Sequence, residues 1–346
     1  MDKKYTIKDI AQLAGVSKGT VDRVLHKRGK VSQKALDSIN AVLNEIEYEP
    51  NLIARNLKNN KTYTICVILP APSSDSYWLP CIKGIEEAEK EFRAFNLSIK
   101  TYYFDPENTE SFIAVNETVL DLAPDAVLLA PLFYNESLKA VEKYSEKEIL
   151  INTFNNQVAS SEIRNFVGQD LHRSGRVAAK LMESIAQKGQ IAIIHIDEKF
   201  KNAIYMQEKE KGFRTFFAEK ENGDYNVTTV KLKRNNYESK FNEFLNENPN
   251  LTGVFITTSK AYQIAEIINE KKNNKIALIG YDLLDKNITF LNQGIIDFLI
   301  NQNPKQQVYL GISCLVDHFI FGKEINSATL LPIDIVNSEN ARYYME

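Results

Sequence analysis

The stretch Thr6-Ile7-Lys8-Asp9-Ile10-Ala11-Gln12-Leu13-Ala14-Gly15-Val16-Ser17-Lys18-Gly19-Thr20-Val21-Asp22-Arg23-Val24-Leu25 reads as two short helices and the turn between them. Ile7, Ile10, Ala11 and Ala14 recur at i, i+3, i+4 and i+7, the spacing of one apolar helix face, and Thr6 stands where an N-cap oxygen accepts from the unpaired amides of the first turn. Gly15 ends that helix. Ser17 caps the next, whose Val21, Val24 and Leu25 share a face. Two helices joined by a Gly-containing turn form a helix-turn-helix unit. Ser32 caps a third helix with Leu36, Ile39, Leu43 and Ile46 as its buried stripe and Pro50 as its stop. Ala11, Gly15, Val16, Val21 and Val24 are expected to shape the small core that three such helices close.

Working outward, the charge distribution separates this segment from the rest. The net charge is -3, yet residues 1–61 carry 12 Lys+Arg against 7 Asp+Glu and residues 1–34 carry 9 against 3, whereas residues 62–346 carry 30 against 38. A basic front end gains from releasing the counterions condensed on nucleic acid, and the acidic remainder does not. Thr6, Ser17, Lys18, Thr20, Arg23, His26 and Lys30 place phosphate and base donors along the second helix and its entry.

Residues 51–61 form a polar connector holding about two turns of amphipathic pattern, shorter than a helix stable alone in water. From Thr62 the rhythm changes. Apolar strands are read at 63–69, 97–104, 126–130, 148–151, 191–196, 227–232, 253–257, 275–280 and 295–300, with helical patterns between nearly all of them. That alternation predicts doubly wound parallel sheets in two lobes. The expected organisation is an all-α headpiece over residues 1–50, a hinge over 51–61 and a two-lobed α/β domain over 62–346.

Several function classes lose their support. The 346 residues, 44% hydrophobic and 25% charged, are ordinary for a globular chain of about two domains. No apolar run approaches the roughly 18 residues of a membrane span. Met1-Asp2-Lys3-Lys4-Tyr5 leads into a helical pattern instead of a signal sequence, so a cytoplasmic location without membrane contact is expected. Cys66, Cys81 and Cys314 stand far apart, with no CxxC pair for zinc and no disulfide framework. His26, His172, His195 and His318 lack metal-binding spacing, and neither a glycine-rich phosphate cradle nor a G-x-S-x-G elbow is present. No enzyme chemistry, cofactor or metal is expected.

The quoted block closely resembles the opening helix-turn-helix of the LacI/GalR-type bacterial transcription regulators. The resemblance continues through Val31-Ser32, Tyr48-Glu49-Pro50-Asn51 and Ala54-Arg55-Asn56-Leu57, and more weakly through Gly212-Phe213, Gly280-Tyr281-Asp282 and Gln302-Asn303-Pro304. It implies a headpiece that binds double-stranded, palindromic operator DNA as a homodimer. It also implies a hinge helix in which Asn51, Ala54 and Leu57 meet DNA, Leu57 as a minor-groove wedge, and a sensor related to periplasmic sugar-binding proteins. Relatives usually carry Ser where this chain has Asp22 and often Asn where it has His26. A carboxylate at Asp22 repels phosphate but accepts from cytosine N4. Gly19 occupies a position that often reads a base in relatives, which leaves base reading to Lys18, Arg23, His26 and Thr20.

In doubly wound sheets a ligand lies beyond the carboxyl ends of the strands. That rule selects Asp75, Ser76, Tyr77, Trp78, Asp105, Asn152, Phe154, Asp197, Asp282 and Gln302 for a small-molecule effector, a sugar. Asp282 matches the effector-binding aspartate of the resembled family, and Lys209 stands three residues before Gly212 where relatives often use Arg. Strand-end Asp and Asn also cap following helices. The expected function is an effector-controlled DNA-binding regulator. A sugar-binding protein without a DNA role is the alternative, which the missing signal peptide and the basic headpiece disfavour.

Overall fold

The computed structural model describes residues 5–25, 31–46, 62–196, 204–220, 223–271 and 276–344. The chain divides into two units, 1–59 and 60–346. His26, Lys30, Asn51, Ala54, Leu57 and Asp197 lie outside the described residues.

In the first unit α1 (Ile7–Leu13), α2 (Lys18–Leu25) and α3 (Gln33–Glu45) enclose Ile10, Ala11, Val21, Ile39 and Val42. Val42, absent from the expected stripe, is buried in place of Leu36, which is only half-buried. Thr6 and Asp9 form a reciprocal capping box, and Ser17 Oγ accepts from Thr20 N at 3.1 Å. Gly15 turns the chain at φ +65°, with Val16 N donating to Ala11 O at 3.0 Å and Gly15 N to Gln12 O at 3.4 Å. This is the Schellman arrangement, whose left-handed residue glycine adopts without a Cβ penalty.

In the second unit the strands are β1 (Tyr63–Pro70), β2 (Leu97–Phe104), β3 (Ala126–Leu129), β4 (Leu150–Phe154), β5 (Ile163–Gly168), β6 (Gly189–Ile196), β7 (Tyr225–Leu232), β8 (Leu251–Ile256), β9 (Ala277–Tyr281), β10 (Phe298–Asn301), β11 (Ala328–Leu330) and β12 (Asp334–Val336). They form two six-stranded sheets, β11-β5-β4-β3-β1-β2 and β12-β10-β9-β8-β6-β7. All described pairings are parallel except β10 with β12. The central strands β1, β3 and β9 are largely apolar along their whole length, as strands with helices on both faces must be.

In the first lobe these helices are α4 (Leu79–Glu91), α5 (Thr109–Leu122) and α6 (Tyr134–Glu146), joined by the returning α12 (Pro304–Phe321). The second lobe carries α7 (Leu171–Ile185), α8 (Ile204–Ala218), α9 (Tyr237–Glu247), α10 (Ala261–Glu270) and α11 (Asp285–Asn292). Separate apolar cores form on the sheet faces, one with Val67, Leu128 and Leu315 and another with Phe112, Val127 and Tyr144 in the first lobe. Among the described residues no helix is long and apolar enough to cross a membrane.

The strand boundaries depart from the sequence expectation where polar residues interrupt an apolar run. Residues 148–151 were expected as a strand, whereas β4 occupies Leu150–Phe154. β5, with Arg164 and Asn165 inside it, and the three-residue β11 and β12 have no apolar run to announce them.

Candidate functional site

On the first unit, Lys18 and Arg23 are exposed on α2, with Thr20 and Asp22 half-buried between them. Thr6 and Ser17 are exposed at the helix starts, and Ser17 Oγ lies 2.8 Å from Thr20 Oγ1. Caps therefore hold both hydroxyls in place. The result is a helix whose outer face offers an ammonium and a guanidinium, with its apolar face committed to the core.

The second unit has a cleft lined by Asp75, Tyr77, Trp78, Glu107, Asn155, Asn156, Tyr205, Lys209, Arg234, Thr257, Asp282 and Gln302, among others. It draws on both lobes at the carboxyl ends of their strands, as the topology requires. Asp282 follows β9 and adopts φ +66°, a left-handed conformation that costs a non-glycine residue energy unless its surroundings enforce it. The enforcement comes from Asn287. This fully buried amide donates to Ser259 O (2.8 Å), Tyr281 O (3.0 Å) and Asp282 O (2.9 Å), and accepts from Tyr262 N (2.8 Å). Asp282 itself is 3% exposed, and Gln302 donates to both its oxygens, from N to Oδ1 at 3.1 Å and from Nε2 to Oδ2 at 2.8 Å. A carboxylate oxygen accepts more than one hydrogen bond, so both retain acceptor capacity.

Lys209 supplies the cation. Its helix α8 meets α7 backbone to backbone, where a Cβ on Gly175 would sit 1.9 Å from Lys209 O and one on Gly212 1.9 Å from His172 O. Only glycine permits that approach, which drives the Lys209 side chain into the cleft wall. Its Nζ donates to Thr257 O at 3.1 Å and stands 3.6 Å from the centroid of the Tyr281 ring, whose hydroxyl meets Ser174 Oγ at 2.8 Å. Burial pushes the Lys209 ammonium down to about 8 while the Asp282 charge opposes that shift. Burial likewise raises the Asp282 carboxyl to about 6, with Lys209 and then Gln302 pulling the other way. Opposite, Asp75 accepts from Tyr77 N at 3.0 Å and so caps the turn carrying Tyr77 and Trp78, whose rings meet edge to face. Asn155, at φ +70°, bonds the Tyr77 hydroxyl through Nδ2.

Six of the expected cleft residues, Asp75, Tyr77, Trp78, Lys209, Asp282 and Gln302, are therefore brought together. Ser76, Asp105, Asn152 and Phe154 are not. β4 continues to Phe154, so the last two are fully buried within the sheet, and Phe154 packs edge to face against Trp78 at 6.1 Å instead of facing the cleft. The residues that do emerge beyond β4 are Asn155 and Asn156, which the sequence reading missed by ending the strand too early. Asn287 was also missed, since no apolar run points to it; Thr257 and Arg234 were missed although the strands read at 253–257 and 227–232 end at or just before them. His195 is buried between Thr257 Oγ1 (2.8 Å) and Glu210 Oε2 (2.6 Å). Among the described residues no group of His, Cys, Asp and Glu is placed to hold a metal.

Comparison with known proteins agrees with this division. Residues 6–51 match the bacterial regulatory proteins of the lacI family, and residues 65–324 match the periplasmic binding protein domain. A ribose operon repressor from Lactococcus lactis is 25% identical over 289 residues, covering 80% of each chain. A crystal structure assigned as a LacI transcriptional regulator from Bacteroides fragilis is 30% identical, with a TM-score of 0.75 over 82% of this chain and 100% of that one. A solute binding protein from Burkholderia graminis in complex with D-arabinose shares the fold at 17% identity, with a TM-score of 0.72 over 83% of this chain and 99% of that one.

Proposed function

Because the chain belongs to the lacI family of bacterial regulatory proteins, we propose that it is a transcription regulator whose grip on operator DNA is set by a small molecule held in the cleft. The effector is a neutral polyhydroxylated molecule, a sugar. The observation that carries this is the Asp282 carboxylate, fixed by Gln302 with acceptor capacity to spare and with the Lys209 ammonium beside it. Vicinal hydroxyls donate to such a carboxylate in pairs, while Tyr77, Trp78 and Tyr205 offer ring surface to the apolar face of a pyranose. Neutrality follows from charge matching. Lys209 is set against Asp282, and Arg234 Nη1 donates to Glu107 Oε1 at 2.8 Å, so these cations are already countered before a ligand arrives.

Operator contact is assigned to the α2 face, with Lys18 and Arg23 as base readers and Thr6, Ser17 and Thr20 placed for phosphate, and with Asp22 selecting cytosine. A homodimer on a palindromic site, with His26, Lys30, Asn51, Ala54 and Leu57 adding contacts, is part of the same proposal. The sensor fold alone would also suit a transport-associated binding protein, but such a protein has no use for a basic headpiece. A cytoplasmic, non-enzymatic role follows from the same reading. A thermal-shift screen of neutral sugars tests the effector half, since a sugar at 100 times its Kd adds about 2.7 kcal/mol of stability. A panel of neutral sugars without any stabilising member, beside a charged metabolite that stabilises, would overturn the neutral-ligand assignment.

A further inference from the structure

Three crossovers join the lobes: residues 168–170, from the last residue of β5 to α7, residues 302–303 between β10 and α12, and residues 331–333 between β11 and β12. Any change in inter-lobe angle must be absorbed by the backbone dihedrals of these few residues. One side chain reaches from the first to both others. Gln169 is 2% exposed, and its Nε2 donates to Asn301 O at 2.9 Å, where the second crossover begins, and to Pro332 O at 2.7 Å within the third. Among the described residues its buried Oε1 has no partner, and the amide acts here as a donor. The two hydrogens of an amide nitrogen point in fixed directions, so both bonds form only when the two carbonyls keep one separation and orientation. Leu331 N donates to Gly168 O at 2.8 Å and fastens the first crossover to the third beside it. Asn301 is adjacent to Gln302, which holds both oxygens of Asp282.

We propose that Gln169 sets the inter-lobe angle of the sensor, clasping all three crossovers in the geometry in which Arg234 and Glu107 meet across the cleft mouth. It is a positioning residue. It touches no ligand, and acts on Asp282 through Asn301 and Gln302. Its purpose rests on the effector-sensing reading, but its effect on lobe geometry requires neither effector nor operator.

The test is an inter-lobe distance distribution measured by double electron–electron resonance on the full-length chain. Spin labels are placed at Lys139→Cys on α6 and Lys240→Cys on α9, both exposed, with Cys314→Ala removing the cysteine that is not buried. Gln169→Met keeps length and removes both donors. It is expected to broaden or shift the distribution relative to the unsubstituted parent. Asn165→Leu is the matched control: Asn165 is likewise a fully buried amide with an unpaired oxygen, donating to Asn326 O (2.7 Å) and Thr329 Oγ1 (3.1 Å), but within one lobe. Its substitution is expected to lower the melting temperature and leave the distribution unchanged. Should Gln169→Met fail to fold, Gln169→Glu, which sets a carboxylate against two carbonyls, is expected to broaden the distribution. A parental distribution in a folded Gln169 variant, or equal broadening in Asn165→Leu, would overturn the proposal. A missing sugar response with the broadening intact would count against the effector reading alone.

Discussion

Asn287→Leu removes the amide that holds the Asp282 turn while keeping the number and branching of its heavy atoms. Four contacts of 2.8–3.0 Å disappear. Because an amide nitrogen has two hydrogens, its three carbonyl partners share two bonds, and the fourth contact is the Tyr262 amide at the start of α10. The substitution thus removes the bond that the half-buried Tyr262 amide donates and two bonds to buried or half-buried carbonyls. At about 1–3 kcal/mol for a group left without a partner, and with partial relaxation among the shared carbonyls, the cost is about 2–5 kcal/mol. For a domain of this size that lowers the melting temperature by about 5–10 °C. Freed from the bonds to Tyr281 O and Asp282 O, residue 282 also relaxes from its left-handed conformation and the carboxylate swings away from Gln302. Thermal denaturation followed by circular dichroism, with calorimetric titration of the sugar found by screening, reads both effects. A variant melting within 1 °C of the parent at unchanged sugar affinity would refute the assignment of Asn287 as the enforcer of that turn.

Arg23→Ala removes a fork suited to guanine O6 and N7, worth about 1–3 kcal/mol against a wrong base, and should narrow the ratio of operator to random-DNA affinity measured at fixed salt. An unchanged ratio would take Arg23 out of base reading. The raised Asp282 pKa makes sugar affinity pH-dependent: only the carboxylate accepts two hydroxyls, so affinity should rise about tenfold per pH unit up to about 6 and level above it. For stability the signs run oppositely at the two groups. The raised carboxyl favours folding below its unfolded value of 3.8 and loses that contribution as pH climbs through about 6. The depressed Lys209 favours folding above 10.5 and loses that contribution as pH falls through about 8. The pair is therefore least favourable between about 6 and 8, and a flat affinity profile from pH 5 to 7 would contradict its placement.

What the sequence reveals is what local chemistry decides. The caps at Thr6, Ser17 and Ser32 depend on residues three positions away, and all three form. Asp282 and Gln302 closely follow apolar runs and lie where the strand-end rule puts them. The same rule fails at β4 because Asn152 and Thr153 are polar yet lie within the strand, which moves the exit to Asn155. β11 is three residues long and pairs with β5, more than 150 residues earlier, so no local pattern marks it. Gln169 and Asn287 take their importance from carbonyls that only the tertiary fold gathers. Lys209 was placed by its distance from Gly212, but its seat on the Tyr281 ring required the close contact of α7 and α8.

The central claim is that one chain couples the occupant of the cleft to operator affinity, and a ligand achieves this only through different affinities for two sensor conformations. Asp282→Asn isolates that coupling, since Asn tolerates the left-handed backbone and fills the same space while losing the charge. Operator titration by fluorescence anisotropy, with and without the sugar selected by the thermal-shift screen, is the direct measurement. The variant is expected to match the parent without sugar and to need about 10–100-fold more sugar for the same change in operator affinity, equivalent to losing about 1.5–3 kcal/mol of charge-assisted hydrogen bonding. A parental response at the parental sugar concentration, or a folded variant that no longer binds operator, would contradict the account.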